Sequence, residues 1–316
     1  MRTTTVDYNN QAPTFLINGD GQVTTNMSGA AGGWNSGNSV AIQGDGKILV
    51  AGTSSGNFAL VRYNVDGTLD SGFGQAGKTL TTAGVGSSWD AGAYSITVQP
   101  DGNILVAGTS WNGTNYDFAV LRYDTQGNLD ASFGVNGQVN TDFGGTDWGN
   151  TVAVQADGKI LVAGTSWNAT LGRDESSLVR YNSDGSLDTT FDGDGKASTD
   201  IACVTKMVMQ NDGKILVAGT DGPVNVGHFV LVRYNTDGSL DTSLNGDGKV
   251  ITSSLGNASS VTVQADGKIL VAGTGYSGGG GRDFTLMRFI LMAVSTPASA
   301  VMAWSARLVD MLMATA

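Results

Sequence analysis

Cysteine, proline, histidine and glutamate are all scarce in this chain. Its 316 residues include one cysteine (Cys203), four prolines, one histidine (His228) and one glutamate (Glu175). A single cysteine excludes an internal disulfide bond and a cysteine metal cluster. Because the histidine is alone and no H-E-x-x-H motif is present, the sequence predicts no conventional zinc or copper site.

Basic residues are too few to suggest a polyanionic partner. Lysine and arginine total 17 against 28 aspartate and glutamate residues, which gives a formal net charge of -11 and a pI near 4.3. Nucleic-acid binding needs a basic stripe, and anionic membranes repel a chain of this charge. We therefore expect neither nucleic acid nor a membrane as a partner.

Helical periodicity is also missing before residue 290. The chain is instead rich in glycine (47 residues) and in short apolar or alternating segments, such as residues 40–43, 48–51, 58–63 and 78–82. Segments of about four to eight residues bounded by Gly, Asn and Asp are typical of β-strands. The sequence therefore predicts an all-β fold.

One phrase recurs five times and organises the sequence. It reads Q-x-D-G-K-I-L-V-A-G in its commonest form, and its copies begin at Gln43, Gln99, Gln155, Gln210 and Gln264, 54 to 56 residues apart. A second phrase, L-V-R-Y-N-x-D-G-x-L-D, follows each copy with small changes and is broken in the last one. A fixed period of this length indicates a repeat architecture such as a propeller or a solenoid.

The strand count predicts how the array closes. Three strand types occur five times in order, and the fourth, outer type also occurs five times, but its first copy, residues 21–26, precedes the first complete repeat. Pairing this orphan strand with residues 284–289 would remove an exposed sheet edge. We therefore predict that residues 1–289 form a single five-bladed β-propeller of four-stranded blades, closed by its N-terminal strand. An open solenoid, or a fragment of a larger ring, is the alternative.

The repeat resembles the delta-60 repeat, a bacterial β-propeller-type family of unassigned function. The resemblance covers roughly residues 12–289 and rests on V-x-V-Q-x-D-G-K-I-L-V-A-G-T and L-V-R-Y-N-x-D-G-S-L-D-x-x-F-G. It implies a propeller fold and says almost nothing about activity. Leu244 departs from the pattern, since other repeats have Phe73, Phe133 and Phe191 at this position.

Residues 290–316 break the repeat. After Arg288 and Phe289 the family phrase predicts N-P-D-G-S-L-D-T, whereas the chain reads I-L-M-A-V-S-T-P. Codons for the expected phrase can encode these residues once a single nucleotide is lost, so we interpret the tail as a frameshifted repeat. Polar and proline interruptions argue against a membrane span in its apolar run. Within the tail, residues 299–313 are predicted to form an amphipathic helix.

Residues that recur in every repeat are predicted to be structural. The Asp-Gly pair between the first two strands indicates a tight turn, because such a turn needs a residue with positive φ. Calcium at these aspartates is the alternative, with Asp192 and Asp194 the densest pair. Arg62 and its counterparts precede an aspartate by eight residues, which predicts a bidentate clamp. The five recurring glutamines are predicted to line or cap a central channel.

The loops that differ between repeats are expected to carry the function. Five of the six tryptophans lie in these loops, which share one face of the predicted propeller. An indole ring could stack on a sugar while neighbouring amides and carboxylates bind its hydroxyls, or it could simply pack between blades. The predicted ligand-binding residues are Trp34, Asn35, Trp89, Asp90, Trp111, Asn112, Asp147, Trp148, Trp167 and Asn168.

A glycosidase is one alternative on the same face. Glycoside hydrolysis usually needs two carboxylates that flank the scissile bond. Glu175 would be the acid, with Asp147 or Asp90 as the base.

An esterase is the other alternative. Ser277 lies in a G-x-S-x-G sequence, and His228 with Asp283 or Asp221 would complete a Ser–His–Asp arrangement. The strand–elbow–helix context that this motif normally needs is missing. No catalytic residue is therefore assigned from the sequence.

These patterns together favour a glycan-binding or structural module over a hydrolase. We expect a monomer that binds a carbohydrate or another small polar ligand, with no cofactor and with calcium left open. The abundance of Gly, Thr, Asn and Asp favours a secreted or surface bacterial protein. Residues 1–7 show no apolar stretch of the kind found in signal peptides.

Overall fold

The fold is described from a computed structural model. The structure describes residues 22–27, 34–85, 90–201, 203–222, 227–276, 281–293 and 304–313, with side chains described up to residue 290. The chain divides into two compact units, residues 1–140 and 141–316. The described residues form 19 strands and no helix, which confirms the predicted all-β fold.

The first unit contains two antiparallel four-stranded sheets. Each sheet is a meander in which every strand pairs with the next one along the chain. The first sheet consists of β1 (Asn35–Ile42), β2 (Ile48–Ser54), β3 (Asn57–Tyr63) and β4 (Lys78–Thr81), and the second of β5 (Gly92–Val98), β6 (Ile104–Trp111), β7 (Tyr116–Tyr123) and β8 (Gln138–Thr141). The apolar residues of the two sheets share one core, which includes Leu49, Phe58, Phe73, Ile104 and Leu121.

The second unit repeats this arrangement and then extends it. One four-stranded sheet consists of β9 (Asp147–Val154), β10 (Ile160–Asn168), β11 (Arg173–Tyr181) and β12 (Lys196–Thr199). A seven-stranded sheet follows, made of β13 (Val204–Met209), β14 (Ile215–Asp221), β15 (His228–Tyr234), β16 (Lys249–Val263), β17 (Ile269–Tyr276), β18 (Arg282–Ala293) and β19 (Trp304–Met313). The long strand β16 joins two repeats, because its first half pairs with β15 and its second half with β17.

Turn chemistry accounts for the repeated Asp-Gly pairs. In the first repeat, the Gly46 N–H donates to the Gln43 carbonyl at 2.9 Å and the Gln43 N–H donates to the Lys47 carbonyl at 2.8 Å. Gly46 has a φ of 83°, and the Asp45 carboxylate accepts the Lys47 N–H at 3.1 Å. This is a three-residue hairpin loop that ends in a left-handed glycine. The same φ and the same aspartate contact recur at Gly102, Gly158, Gly213 and Gly267.

Arginine–aspartate pairs tie the third strand to the following loop in the first four repeats, but those of the first and third repeats are not bidentate as predicted. The Arg62 Nε lies 2.8 Å from Asp70 Oδ2, and the Nη1 donates instead to the backbone carbonyl of Thr125 in the next repeat. Buried backbone carbonyls need donors, and a guanidinium can supply several at once. The clamp therefore links neighbouring repeats as well as closing its own loop. Equivalent Nε–Oδ2 pairs join Arg122 to Asp130, Arg180 to Asp188 and Arg233 to Asp241.

The structure does not confirm that residues 21–26 pair with residues 284–289. Residue 21 lies outside the described residues, and residues 22–26 form no strand. One edge of β18 pairs with β17 and the other with β19. The Thr25 hydroxyl accepts the Tyr63 O–H at 2.8 Å, as the Thr81 hydroxyl accepts that of Tyr123. The segment thus makes the side-chain contact of an outer strand without the predicted pairing.

The predicted amphipathic helix over residues 299–313 is wrong where the structure describes it. Residues 304–313 form β19, which pairs antiparallel with β18. A strand at a sheet edge presents unpaired N–H and C=O groups. A following segment can pair with these groups even when its own sequence favours a helix. The described residues contain no helix that is long and apolar enough to span a bilayer.

Candidate functional site

The described tryptophans differ in their exposure. Trp34 has 76% of its surface exposed and Trp167 has 42%, whereas Trp111 and Trp148 are half-buried. Trp111 packs edge-on against Tyr116, with ring centroids 5.0 Å apart and an interplanar angle of 64°. Trp89 lies outside the described residues. Trp34 is therefore the most exposed tryptophan among those whose side chains the structure describes.

A cavity of about 280 Å³ lies beside Trp34 in the first unit. Ligand pockets begin at about 300 Å³, so the volume is of the right order for one small ring. The residues that line it have polar side chains apart from Gly56 and two aromatic residues. They include Trp34, Asn35, Asn38, Ser55, Asp90 and Tyr94.

Hydrogen bonds hold this lining in place. The Ser55 N–H donates to the Trp34 carbonyl at 2.9 Å, which anchors the tryptophan backbone to the turn after β2. The Tyr94 hydroxyl donates to the Asp90 carbonyl at 2.8 Å. Burial raises the pKa of Tyr94, and the negative charge of Asp90 raises it further, so the phenol is neutral at pH 7. Asp90 itself is exposed, and its carboxylate faces solvent beside the cavity.

Asn112 and Asn168 stabilise their own loops. The Asn112 side-chain oxygen accepts the N–H groups of Thr114 and Asn115, and its amide donates to Asp117 at 2.9 Å. In the third repeat Asn168 accepts two backbone N–H groups in the same way, and its amide donates to Glu175 Oε2 at 2.9 Å. The structure gives both side chains a turn-stabilising role.

The strand register places two predicted acidic residues on one face of a single sheet. Ser166 on β10 is the register partner of both Asp147 on β9 and Glu175 on β11. Direct partners project to the same face, so the three side chains form a row across adjacent strands. Asp147 is fully buried and accepts the Phe143 N–H at 2.7 Å, whereas Glu175 is half-buried. Of this pair, only Glu175 is open to solvent.

The esterase residues are only partly described. Ser277 lies outside the described residues, so the structure does not bring a serine to His228. His228 begins β15 and is half-buried, and its register partner on β14 is Asp221. Asp283 lies near the start of β18 and is half-buried. Among the described residues, no hydrogen bond joins His228 to a carboxylate, and its Nδ1 has no partner.

The acidic pair suggested for calcium belongs to a repeated turn. Asp192 has a φ of 49° and Asn245 one of 55°, and Gly74 and Gly134 adopt the same left-handed conformation in the first two repeats. The Asp194 carboxylate accepts the Lys196 N–H at 2.8 Å. Burial raises the pKa of Asp192, and the charges of Asp194 and Asp237 raise it further. Turn formation explains the residue types at these positions.

Sequence reasoning missed Asn38 and Tyr94 in the cavity beside Trp34. Asn38 follows Trp34 by four residues, and its amide donates to the Ala93 carbonyl of the next repeat at 2.8 Å. Tyr94 is the third residue of β5 and was not predicted to bind a ligand. Asn150 makes the same cross-repeat contact with the Val204 carbonyl, at 2.6 Å, so an aligned asparagine was the available signal.

The repeated four-strand meanders and the loop cavity define a β-propeller-type repeat protein with a candidate ligand site. The chain belongs to the family described as a β-propeller domain of unknown function (DUF5122). The family model matches just over half of the chain, in residues 43–73, 99–133, 155–191, 210–244 and 264–289. The match confirms the expected β-propeller-type repeat, although it does not carry the delta-60 name. Among curated proteins, none matches the chain significantly.

Solved structures resemble the chain at low sequence identity. A protein from Lactobacillus plantarum is 13% identical, with a TM-score of 0.51 over 87% of this chain and 70% of its own. Drosophila semaphorin 1b, extracellular domains 1–2, is 9% identical, with a TM-score of 0.49 over 88% and 67% of the two chains. Virginiamycin B lyase from Staphylococcus aureus is 11% identical, with a TM-score of 0.43 over 84% of each chain. At 13% identity the likeness to the Lactobacillus plantarum protein concerns the fold alone.

Proposed function

We propose that this protein is a glycan-binding module whose binding site is the cavity beside Trp34. The observation that carries the proposal is a tryptophan with 76% of its surface exposed that lines a cavity together with polar side chains. An exposed tryptophan on a rigid scaffold is costly to leave in water and suits a ligand with both apolar and polar faces. The C–H face of a sugar ring is such a surface.

The polar lining supplies the second requirement of sugar binding. Asp90 offers acceptors to sugar hydroxyls, and Asn35 and Ser55 offer further polar groups at the same cavity. The Ser54 hydroxyl donates to Asn35 Oδ1 at 2.7 Å, which fixes the orientation of that amide. A site whose polar groups are already oriented loses less entropy when it binds a ligand.

A glycan array followed by titration calorimetry on the bound sugar tests this proposal. Trp34→Ala should weaken binding at least 10-fold, and Trp34→Phe, which keeps an aromatic face, should retain part of it. Trp34 is so exposed that neither change should shift the free energy of unfolding by more than about 0.5 kcal/mol. Trp111→Ala is the matched control and should leave glycan binding unchanged, because the Trp111 ring packs on Tyr116. An array without any bound glycan, or unchanged binding by Trp34→Ala, would contradict the proposal.

A hydrolase on the same loops is the second candidate. The row of Asp147, Ser166 and Glu175 favours it, because two carboxylates two strands apart bracket a space of about 10 Å between their backbones. The complete burial of Asp147 weighs against a base that must reach water. Turnover of aryl glycosides that Glu175→Gln abolishes would favour this candidate, and turnover that His228→Ala abolishes would favour the esterase.

We also propose that the five repeats are five blades of one propeller in a secreted or surface bacterial protein. The five matched segments and their common hairpin loops support the blade count. A compact monomer of this length should have a radius of gyration of about 20 Å. Small-angle scattering measures this value, and a markedly larger one would indicate an open array.

A further inference from the structure

The cavity beside Trp34 is lined by a single charged side chain among the described residues. This residue is Asp90, and the other lining residues are neutral. The three stretches of sequence that supply the lining, residues 28–38, 51–58 and 82–95, contain no other charged residue. The site proposed above for a glycan therefore carries a net negative charge.

The Asp90 carboxylate has no protein cation beside it. Within the described parts of the chain, no ion pair joins Asp90 to a basic side chain. Burial is the main cause of the raised pKa of Tyr94, and the charge of Asp90 raises it further. The carboxylate is thus near enough to the second aromatic residue of the cavity for its charge to act there.

Several hydrogen-bond donors of the lining are already used within the protein. The Tyr94 hydroxyl donates to the Asp90 carbonyl at 2.8 Å, and the Ser36 hydroxyl donates to Asn38 Oδ1 at 2.7 Å. The Asn38 amide in turn donates to the Ala93 carbonyl at 2.8 Å. A hydroxyl that has donated its proton can still accept hydrogen bonds. The Tyr94 and Ser36 oxygens therefore add acceptors to those of the Asp90 carboxylate.

Acceptors around one negative charge suit a ligand that supplies donors and a positive charge. A primary ammonium group has three N–H donors and no acceptor. Its hydrogen bond to a carboxylate is charge-assisted, and such bonds are stronger than those between neutral groups. A carboxylate or sulfate on the ligand would instead be repelled by Asp90. The charge of the cavity therefore disfavours acidic sugars.

The aromatic residues of the cavity favour the same positive charge. Trp34 and Tyr94 both line the cavity, and Trp34 has 76% of its surface exposed. The face of an aromatic ring attracts a cation within about 6 Å of its centroid, and tryptophan is the strongest of these rings. A charged amino sugar thus gains a charge–charge attraction and a cation–π attraction that a neutral sugar lacks.

We infer that the cavity beside Trp34 binds glycans that contain a protonated amino sugar, such as oligomers of glucosamine. The inference rests on the glycan-binding function proposed above and names the class of glycan. The ammonium group donates to the Asp90 carboxylate and to the neighbouring acceptor oxygens, while the C–H face of the sugar ring stacks on Trp34. N-acetylated sugars are poorer ligands because they carry no charge.

Titration calorimetry with two trisaccharides on the full chain tests the inference. The glucosamine trimer and its fully N-acetylated form share one backbone, but only the first is charged. At about pH 6, where amines are protonated and carboxylates are ionised, the glucosamine trimer should bind at least about 5-fold more tightly. Raising the ionic strength from about 0.02 M to about 0.5 M should remove most of this preference, because salt screens exposed charges.

Asp90→Asn tests the inference from the side of the protein. It removes the charge and keeps an acceptor, so binding of the glucosamine trimer should weaken at least about 5-fold. Binding of the acetylated trimer should change less than about twofold, since an amide oxygen still accepts sugar hydroxyls. Asp45→Asn is the matched control, because it removes the same charge from a mostly exposed residue that does not line this cavity. It should leave both affinities unchanged.

The outcomes separate the inference from the function on which it rests. Equal binding of the two trimers, each weakened by Trp34→Ala, would overturn the preference for amino sugars and leave the glycan site intact. A preference for the glucosamine trimer that Asp90→Asn does not reduce would also overturn the inference. Binding of neither trimer would overturn it as well, and the glycan array then decides separately whether another sugar occupies the site.

Discussion

The ring of Phe73 lies so close to Gly127 that a Cβ atom on this glycine would come within 2.8 Å of two ring atoms. The same ring carries the Arg62 guanidinium 4.3 Å from its centroid. Phe73 and Gly127 belong to neighbouring repeats, and the contact depends on the missing side chain. Gly238 approaches Phe191 in the same way, at 3.0 Å.

Gly127→Ala should destabilise the protein by about 3 kcal/mol, since a strained left-handed residue costs about 1 to 2 kcal/mol and overpacking about 1 to 3. Gly158→Ala is the matched control. The two glycines have φ values of 85° and 84°, but a Cβ atom on Gly158 meets nothing within 4 Å. Urea denaturation measures both changes. If Gly127→Ala and Gly158→Ala lower the free energy of unfolding equally, backbone conformation alone requires these glycines, and the contact with Phe73 does not.

Asn103→Lys should stabilise the second repeat by up to about 1 kcal/mol, as a partly buried ion pair does. Lys47, Lys159 and Lys214 each contact the clamp aspartate of their repeat at 2.6 to 2.9 Å. Asn103 is the aligned residue of the second repeat, and its amide instead contacts Asp101. Lys159→Asn is the reverse change and should destabilise by a similar amount. A higher thermal midpoint for Lys159→Asn would contradict a stabilising role for the lysine–aspartate ion pair.

Stability should fall in acid as Asp241 is protonated. Burial raises the pKa of Asp241, but hydrogen bonds from Lys214 and Ser243 and the charge of Arg233 outweigh it and lower the pKa from 3.8 to about 2. A depressed carboxyl pKa contributes stability above the unfolded value, and this contribution is lost as the pH falls through the folded value. Between pH 5 and about pH 2, the free energy of unfolding should fall by an amount on the order of 2 kcal/mol from this group.

The comparison of the unaltered chain with Asp241→Asn isolates this titration. Asp241→Asn should destabilise strongly near pH 7, because it leaves the buried Arg233 without its counter-charge. The difference in unfolding free energy between the two proteins should then shrink as the pH falls. A difference that stays constant from pH 5 to pH 2 would exclude Asp241 as the group responsible.

Tyr181→Phe should cost about 1 to 3 kcal/mol, because it leaves a buried hydroxyl without a partner. The Tyr181 hydroxyl and the Thr141 hydroxyl are 2.5 Å apart, and both residues are buried. Tyr63→Phe removes the equivalent contact with Thr25, where both residues are half-buried and water can replace the phenol. Chemical denaturation should show the smaller loss for Tyr63→Phe, and the reverse order would contradict the role of burial.

Sequence reasoning succeeded where the chemistry is local. The Asp45-Gly46 turn and its four copies were predictable because a left-handed glycine and an aspartate cap act within five residues. The pairing of Arg62 with Asp70 was predictable from its fixed spacing, whereas its second bond, to the Thr125 carbonyl, needed the position of the next repeat. Asp147 was predicted to lie in a loop. It is instead the first residue of β9 and is fully buried.

The candidate sites were predictable only in part. Trp34 and Asp90 were named because they lie in variable loops, but which tryptophan is exposed depends on packing that the sequence does not encode locally. One difference between repeats was visible in the sequence, a glycine at position 72 where three other repeats have Ser or Thr. The structure shows what these hydroxyls do, because they accept hydrogen bonds from the arginines of their repeats.

The sequence by itself determined the period, the strand types and the turns, since each follows from hydrogen bonds and side-chain preferences within a few residues. The tertiary structure decided which segment pairs with β18, where residues 304–313 lie instead of residues 21–26. It also decided which side chains are left with unsatisfied polar atoms. Strand pairing and burial depend on groups that are far apart in the chain, and these groups compete for the same edge or the same space.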